Sequence, residues 1–175
     1  MPTSGFLAML SRMKYINRWG LMRNTRSENV SEHSLEVALI AHMLAVLRNR
    51  RFGGNVNPER AALIGMMHDA GEILTGDMPT PIKYYSPQLK EAYHQVEQVA
   101  ADRLIALLPP DLREEYRALM TPGEEDKEVL RLVKAADKLS ALIKCVEERR
   151  AGSGEFLKAE QSIRAGVEQM DLPEV

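Results

Sequence analysis

Apolar residues recur at intervals of three and four along nearly the whole chain, while alternating β-branched runs and Asn-Gly hairpin turns are absent. The pattern predicts an all-α fold: a compact helical bundle forming one domain over residues 1–175, without internal repeat, linker or low-complexity stretch. A short helix is expected over Gly5 to Ile16, followed by an irregular segment from Asn17 to Arg26. Ser31 reads as the N-cap of a helix running to about Asn49, with Leu35, Ala38, Leu39, His42, Met43 and Val46 as its apolar stripe and His33 in its first turn. Asn57 and Pro58 carry the chemistry of an N-cap and a first helical position. The helix they open runs through Ala61, Ile64 and Met67, is apolar nearly all round, and ends in His68-Asp69. Gly71, Gly76, Pro79, Pro81 and Pro87 interrupt the periodicity between Ala70 and Pro87, which predicts a loop with room for one helical turn. Further helices are expected over Pro87 to Leu108, Asp111 to Met120, about Glu125 to Arg150, and beyond Gly152-Ser153-Gly154 to about Met170.

Polar residues on stripes that should be apolar are the candidates for chemistry. Asp137 follows Leu130 and Val133 and precedes Ala141 at helical spacing. A buried carboxylate without a partner costs several kcal/mol, so it protonates, forms a salt bridge or finds a cation. His68 and Asp69 are adjacent, and neighbours on a helix point about 100° apart, so near a helix end both can reach one point. His68 alone would read as a core histidine bonded to a carbonyl; together with His33 and Asp137 the set can cage one ion. Two ring nitrogens and two carboxylates suit a divalent transition ion such as Mn²⁺, Co²⁺, Fe²⁺ or Zn²⁺ better than Ca²⁺. Glu72, three residues beyond Asp69, is the candidate general acid or base. His42 lies about 180° round the helix from His33 and cannot face the same point, and His94 lies on a polar, solvated face.

Arg18 and the only tryptophan, Trp19, stand side by side in the irregular segment, where a guanidinium fork and a rigid ring could grip a phosphate and a sugar. Packing of Trp19 against the N-terminal helix is the plainer alternative. Asp77, ahead of Met78-Pro79-Thr80-Pro81, is a rigidly presented carboxylate that could accept hydrogen bonds from sugar hydroxyls or cap a turn.

The bulk numbers narrow the function. A chain of 175 residues can bury a core without a structural metal, so an ion would serve chemistry. A net charge of -2 argues against polymeric nucleic acid as substrate. One cysteine, Cys145, excludes an internal disulfide and reads as a small buried apolar residue. The apolar stretch from Val37 to Leu47 falls short of the roughly 18 residues that span a bilayer, and the N-terminus lacks a signal-peptide layout. A cytoplasmic protein is expected.

His33, His68-Asp69 and Asp137 on helices resemble the HD-domain metal-dependent phosphohydrolases. The segments Ile16-Asn17-Arg18-Trp19, Glu28 to Ser34, Phe52 to Asn57, His68-Asp69-Ala70-Gly71-Glu72 and Leu74 to Tyr84 are similar to bacterial 5′-deoxynucleotidases of the YfbR type. That resemblance, over nearly the whole chain, implies hydrolysis of deoxyribonucleoside 5′-monophosphates by a homodimer with one divalent ion, Co²⁺, Mn²⁺ or similar. It implies that His33, His68, Asp69 and Asp137 bind the metal, with His33 and Asp69 also touching substrate. It further implies that Glu72 is catalytic, Arg18 orients the phosphate, and Trp19 with Asp77, Met78, Pro79 and Thr80 holds the sugar. Gly20 and Gly71 depart from the proline and serine expected there, and the chain is expected to stop sooner than such relatives, which bears on the dimer contacts. Two alternatives stay open: an HD-domain hydrolase of nucleoside triphosphates or other phosphorylated nucleotides, and a non-catalytic nucleotide- or metal-binding protein. A triphosphate would need cations beyond Arg18, and Arg23, Arg26 and Lys83 are the ones near in sequence.

Overall fold

A computed structural model describes residues 5–83 and 85–175; Tyr84, the last residue of the resembling loop motif, lies outside the described residues. The chain runs through α1 (Phe6–Leu10), α2 (Val30–Arg51), α3 (Pro58–Met67), α4 (Glu72–Thr75), α5 (Thr80–Lys83), α6 (Pro87–Ala106), α7 (Arg113–Met120), α8 (Lys127–Arg150) and α9 (Leu157–Glu168), with 3₁₀ turns ahead of α7 and α8 and after α1. No strand occurs among the described residues; one isolated bridge pairs Asn17 with Asn29.

Local chemistry sets the helix starts. Asn29, rather than Ser31, caps α2: its side chain accepts from the Glu32 amide at 3.0 Å, and the Glu32 carboxylate accepts from the Asn29 amide at 3.2 Å. This reciprocal capping box satisfies two amides the helix leaves free. Asn57 accepts from the Arg60 amide at 2.9 Å with Pro58 at the first position of α3, and Ser86 does the same for Leu89 at 3.1 Å ahead of Pro87. The interrupted stretch from Ala70 to Pro87 holds two short helices, α4 and α5, rather than one turn.

The stripe expected for α2 is the wrong one. Val30, His33, Ser34, Val37, Ala38, Ala41, Leu44 and Ala45 are buried, whereas Leu35, Leu39, His42 and Met43 are exposed; of the expected set only Ala38 is buried. α2 is apolar on both faces, so periodicity alone could not tell which face packs. By length and composition α2 could also cross a membrane, yet it buries Val37, Ala41 and Leu44 against Ile64 of α3 and Leu132, Val133 and Ala136 of α8. Gly65 lets α2 and α3 meet: a Cβ there would stand 3.2 Å from the Ala38 Cα. A second cluster joins Phe6, Met13 and Val30 to Ala70, Ile73, Leu104 and Leu108. Cys145 is buried, as expected.

The irregular segment is closed at its neck by backbone bonds from Arg18 N–H to Glu28 C=O and from Val30 N–H to Ile16 C=O, each 2.9 Å. It is pinned to α8 by buried Glu148, which accepts from the Thr25 amide and hydroxyl, both at 2.8 Å, and from Lys144 Nζ at 2.5 Å. Burial opposes the charge of Glu148, yet the hydrogen bonds from Lys144, Thr25 and Arg26 hold its carboxyl at about 2. Since the folded value lies below the ordinary 4.5, its contribution is full above that pH and is lost as pH falls toward 2. Glu148→Ala strands the Lys144 ammonium and is expected to cost about 3 to 5 kcal/mol. Urea unfolding at pH 7 should show that loss, and a smaller gap between the two proteins at pH 3.

Candidate active site

Three helices deliver the four predicted ligands. His33 comes from the first turn of α2, His68 and Asp69 from the turn closing α3, and Asp137 from the middle of α8. One ligand atom from each of His33, His68 and Asp69 lies within 4.8 Å of the others, a grouping that could hold a metal ion. His68 Nε2 is 3.0 Å from Asp69 Oδ2, and His33 Nε2 is 3.6 Å from that oxygen and 3.2 Å from Asp137 Oδ1. Asp137 is not sealed in the apolar stripe, as the periodicity implied: its side chain is 42% exposed and opens on a cavity.

Partners behind the rings orient them. Ser140 Oγ donates to Glu36 at 2.5 Å and so accepts from His33 Nδ1 at 3.0 Å. His68 Nδ1 donates to the Gly65 carbonyl at 2.7 Å. Each ring therefore has a proton on Nδ1 and turns Nε2 inward as the atom left to take a proton or an ion, as outer partners arrange for metal-ligating imidazoles. Both Nε2 atoms are buried and make no well-aligned hydrogen bond, although a carboxylate oxygen stands within 3.2 Å of each. Lone pairs facing two carboxylates repel unless positive charge stands between them. Burial works against protonation of His68, yet Asp69 and Asp137 pull it up to about 9. Burial likewise opposes the charge on Asp69, while His68, His33 and Arg18 hold its carboxyl well below the usual range. The centre is built for a cation, and the donor set fits a divalent transition ion.

Arg18 and Glu72 flank the cluster. The Arg18 guanidinium bonds Glu28 Oε1 at 2.5 Å; burial lowers its basicity, but Glu28, Asp69, Asp137 and Asp77 more than offset that. Glu72 Oε2 is buried without a partner. Burial, then Asp69 and Asp77, push its carboxyl up to about 9 against the pull of Arg18. Trp19 is the one described non-glycine residue with positive φ, at 58°, a strained conformation of the kind that gathers at functional sites. It is held by its amide donating to Asp77 Oδ2 at 3.2 Å, by Asn24 Nδ2 donating to its carbonyl at 3.2 Å, and by its ring packing 5.4 Å from that of Phe156. Packing against α1, the plainer reading of Trp19, is replaced by packing ahead of α9.

Two cavities open on these residues. One, of about 720 Å³, opens on His68, Asp69, Glu72 and Asp137. The other, of about 640 Å³, is lined by Arg18, Trp19, Asp77, Pro79 and Thr80; Met78 is half-buried and is not part of that lining. His94 is exposed, but on the rim of the first cavity rather than on an unrelated face. His42 is exposed on the side of α2 away from His33. Sequence reasoning missed Ser140, Glu36 and Glu28, although Ser140 follows Asp137, and Glu36 follows His33, by the three residues that share a helix face. It also missed α9, whose Lys158, Ala159, Ser162 and Ile163 line the second cavity.

The model of the YfbR-like 5′-deoxynucleotidase family matches residues 5–175. A 5′-deoxynucleotidase of Yersinia pestis is 49% identical over 172 residues, 98% of this chain and 87% of the relative. The chain belongs to the YfbR-like 5′-deoxynucleotidase family. Solved structures agree on the fold of this deoxynucleotidase-family chain. An HD-domain phosphohydrolase from Listeria innocua superposes with a TM-score of 0.83 at 24% identity, covering 94% of this chain and 79% of that one. The cyanophage S-2L HD phosphohydrolase DatZ, bound to dA and one catalytic Zn²⁺, superposes at 0.65 and 23% identity, covering 95% and 85%.

Proposed function

We infer that the protein is a phosphoric monoester hydrolase that converts deoxyribonucleoside 5′-monophosphates to deoxynucleoside and phosphate, with a divalent ion held by His33, His68, Asp69 and Asp137. The observation that carries this reading is the pair of buried Nε2 atoms facing Asp69 and Asp137 beside a cavity that presents Arg18, Trp19 and Asp77. The family match and the dA and Zn²⁺ bound by DatZ support it. An ion such as Co²⁺, Mn²⁺ or Zn²⁺, when bound, supplies Lewis acidity toward phosphorus and lowers the pKa of water.

The chain's own groups do the rest. Arg18, fixed by Glu28, orients the phosphate as a fork of donors. His33 and Asp69 are placed to contact it at the cation centre, and Glu72, its carboxyl held protonated by burial and by Asp69 and Asp77, gives a proton to the departing 5′-oxygen. Asp77, presented ahead of Pro79 and Thr80, accepts from the sugar, with Met78 completing the turn. A monophosphate fits better than a triphosphate: Lys83 pairs with Glu97 at 2.6 Å, and Arg23 and Arg26 are exposed. A buried proton-handling group beside the cation site speaks against a purely binding role. We also propose a single domain, a cytoplasmic location and a homodimer; the exposed Leu35, Leu39 and Met43 on α2 support the last. The net charge of -2 supports a small-molecule substrate over polymeric nucleic acid.

Trp19 supplies the sugar preference. A 2′-hydroxyl against its ring loses water and gains no partner, a penalty of roughly 1 to 3 kcal/mol. Trp19→Ala is therefore expected to raise kcat/KM for AMP relative to dAMP by about tenfold. Phosphate release from the two nucleotides by wild type and variant checks it. Equal wild-type rates on dAMP and AMP would reject the deoxynucleotide assignment.

A further inference from the structure

We propose that Glu36 and Ser140 are positioning residues that act on the ion through His33, so that a half-buried carboxylate behind the centre sets how tightly the ion is held. The proposal rests on the cation reading of His33, His68, Asp69 and Asp137 and names what tunes it. The two rings of that centre are backed differently. His68 Nδ1 donates to the Gly65 carbonyl at 2.7 Å, a backbone group that no side-chain change removes. His33 Nδ1 lies 3.0 Å from Ser140 Oγ, and that hydroxyl donates in turn to Glu36 Oε2 at 2.5 Å. A carboxylate thus stands at the far end of a hydrogen-bonded chain whose near end is a proposed ligand.

The helices that bring the ligands together also build the chain. Glu36 follows His33 by three residues on α2 and Ser140 follows Asp137 by three on α8, so each partner lies about one turn beyond a ligand on the same face. His33 and Ser140 are sealed from solvent, at 1% and 0% exposure. There a hydrogen bond is stronger than in water, and a lost partner costs more. A serine inside a helix commonly bonds back to a carbonyl one turn earlier; Ser140 instead spends its single proton on Glu36, which leaves its lone pairs to the His33 Nδ1 proton. Glu28 does not serve the ring. Its Oε1 stands 3.8 Å from Nδ1, beyond hydrogen-bond reach, and is held by Arg18 at 2.5 Å. Glu36 forms no ion pair among the described residues, because the lysine lining the same cavity of about 190 Å³, Lys144, is engaged by Glu148. The Glu36 carboxylate therefore acts on the ring through Ser140, and makes Nε2 a better donor to a cation.

Ion affinity is read without turnover by competing the full-length protein against a chromophoric chelator for Co²⁺ or Zn²⁺. Ser140→Ala, which removes the middle of the chain, is expected to weaken binding about 10- to 100-fold, the usual effect of losing an outer partner of a ligating imidazole. Glu36→Gln keeps the size and drops the charge, and should weaken it about tenfold. Ser140→Cys, whose thiol donates and accepts only weakly, should fall between Ser140→Ala and wild type. In phosphate release the ion concentration for half-activation should rise by the same factor in each variant, with KM for dAMP within a few-fold of wild type, since neither residue touches the substrate. A merely structural role would lower the melting temperature of the chelator-stripped protein and leave the ion constant alone. Glu36→Gln, at a half-buried position, carries the test should the Ser140 variants not fold. Unchanged ion affinity in a folded Glu36→Gln or Ser140→Ala would overturn the proposal, as would a raised KM for dAMP with ion affinity intact. Wild type that binds neither ion would remove the cation reading and this proposal with it, whereas tight binding that is equal in wild type and variants overturns this proposal alone.

Discussion

Alanine at His68 or Asp137 is expected to abolish both ion binding and phosphate release while leaving the helical protein folded. Each substitution removes one of the four proposed ligands: His33, His68 and Asp69 group within 4.8 Å, and Asp137 Oδ1 stands 3.2 Å from His33 Nε2. With His68 gone, Asp69 loses the neighbour that most offsets the cost of its burial, and the remaining three groups no longer close round an ion. The core does not depend on the ion: Val37, Ile64, Leu132 and Ala136 pack against one another without any of the four. Bound metal per chain and the circular dichroism spectrum, measured on the same samples, check both halves of the expectation. A variant that keeps stoichiometric metal would show that the ion sits elsewhere.

Glu72→Gln should keep metal and substrate binding and lower kcat by about 10² to 10⁴, the usual contribution of a positioned acid or base. Glutamine preserves size and burial but cannot exchange the proton. The glutamate is placed for that exchange: its free oxygen is buried, and burial with the neighbouring Asp69 and Asp77 keeps the carboxyl protonated up to about 9. Steady-state kinetics on dAMP separate the outcomes. A fall in kcat with KM within a few-fold supports proton transfer, whereas near wild-type kcat would make Glu72 a bystander.

Much of this was legible in the sequence, for identifiable reasons. Helix starts at Asn57-Pro58 and the break at Gly152 follow from local capping and turn chemistry, which short stretches encode. Asp137 stood out because a carboxylate at stripe spacing has few physical explanations, and His68-Asp69 because it closes an apolar helix. Which face of α2 packs was not legible: Leu35, Leu39 and Met43 are as apolar as Val37, Ala41 and Leu44, and only contact with α3 and α8 decides between them. Nor was the pairing of Glu148 with Thr25 and Arg26, more than a hundred residues apart. The part played by α9 was hidden for the same reason. Lys158, Ala159, Ser162 and Ile163 carry no signal on a helix, and they share a cavity lining with Trp19 only through contacts distant in sequence, of Glu155 with Arg23 and of Phe156 with Trp19.

The claim that metal chemistry at the His33, His68, Asp69 and Asp137 centre hydrolyses a deoxynucleoside 5′-monophosphate is tested most directly by inorganic phosphate release from dAMP. The measurement compares chelator-stripped wild type with His68→Ala as Co²⁺, Mn²⁺ or Zn²⁺ is added back. Stripped wild type should be inactive and regain turnover with at least one of these ions, while His68→Ala stays inactive with all of them. Full activity in the stripped protein, or restoration of His68→Ala to the wild-type rate, would contradict it.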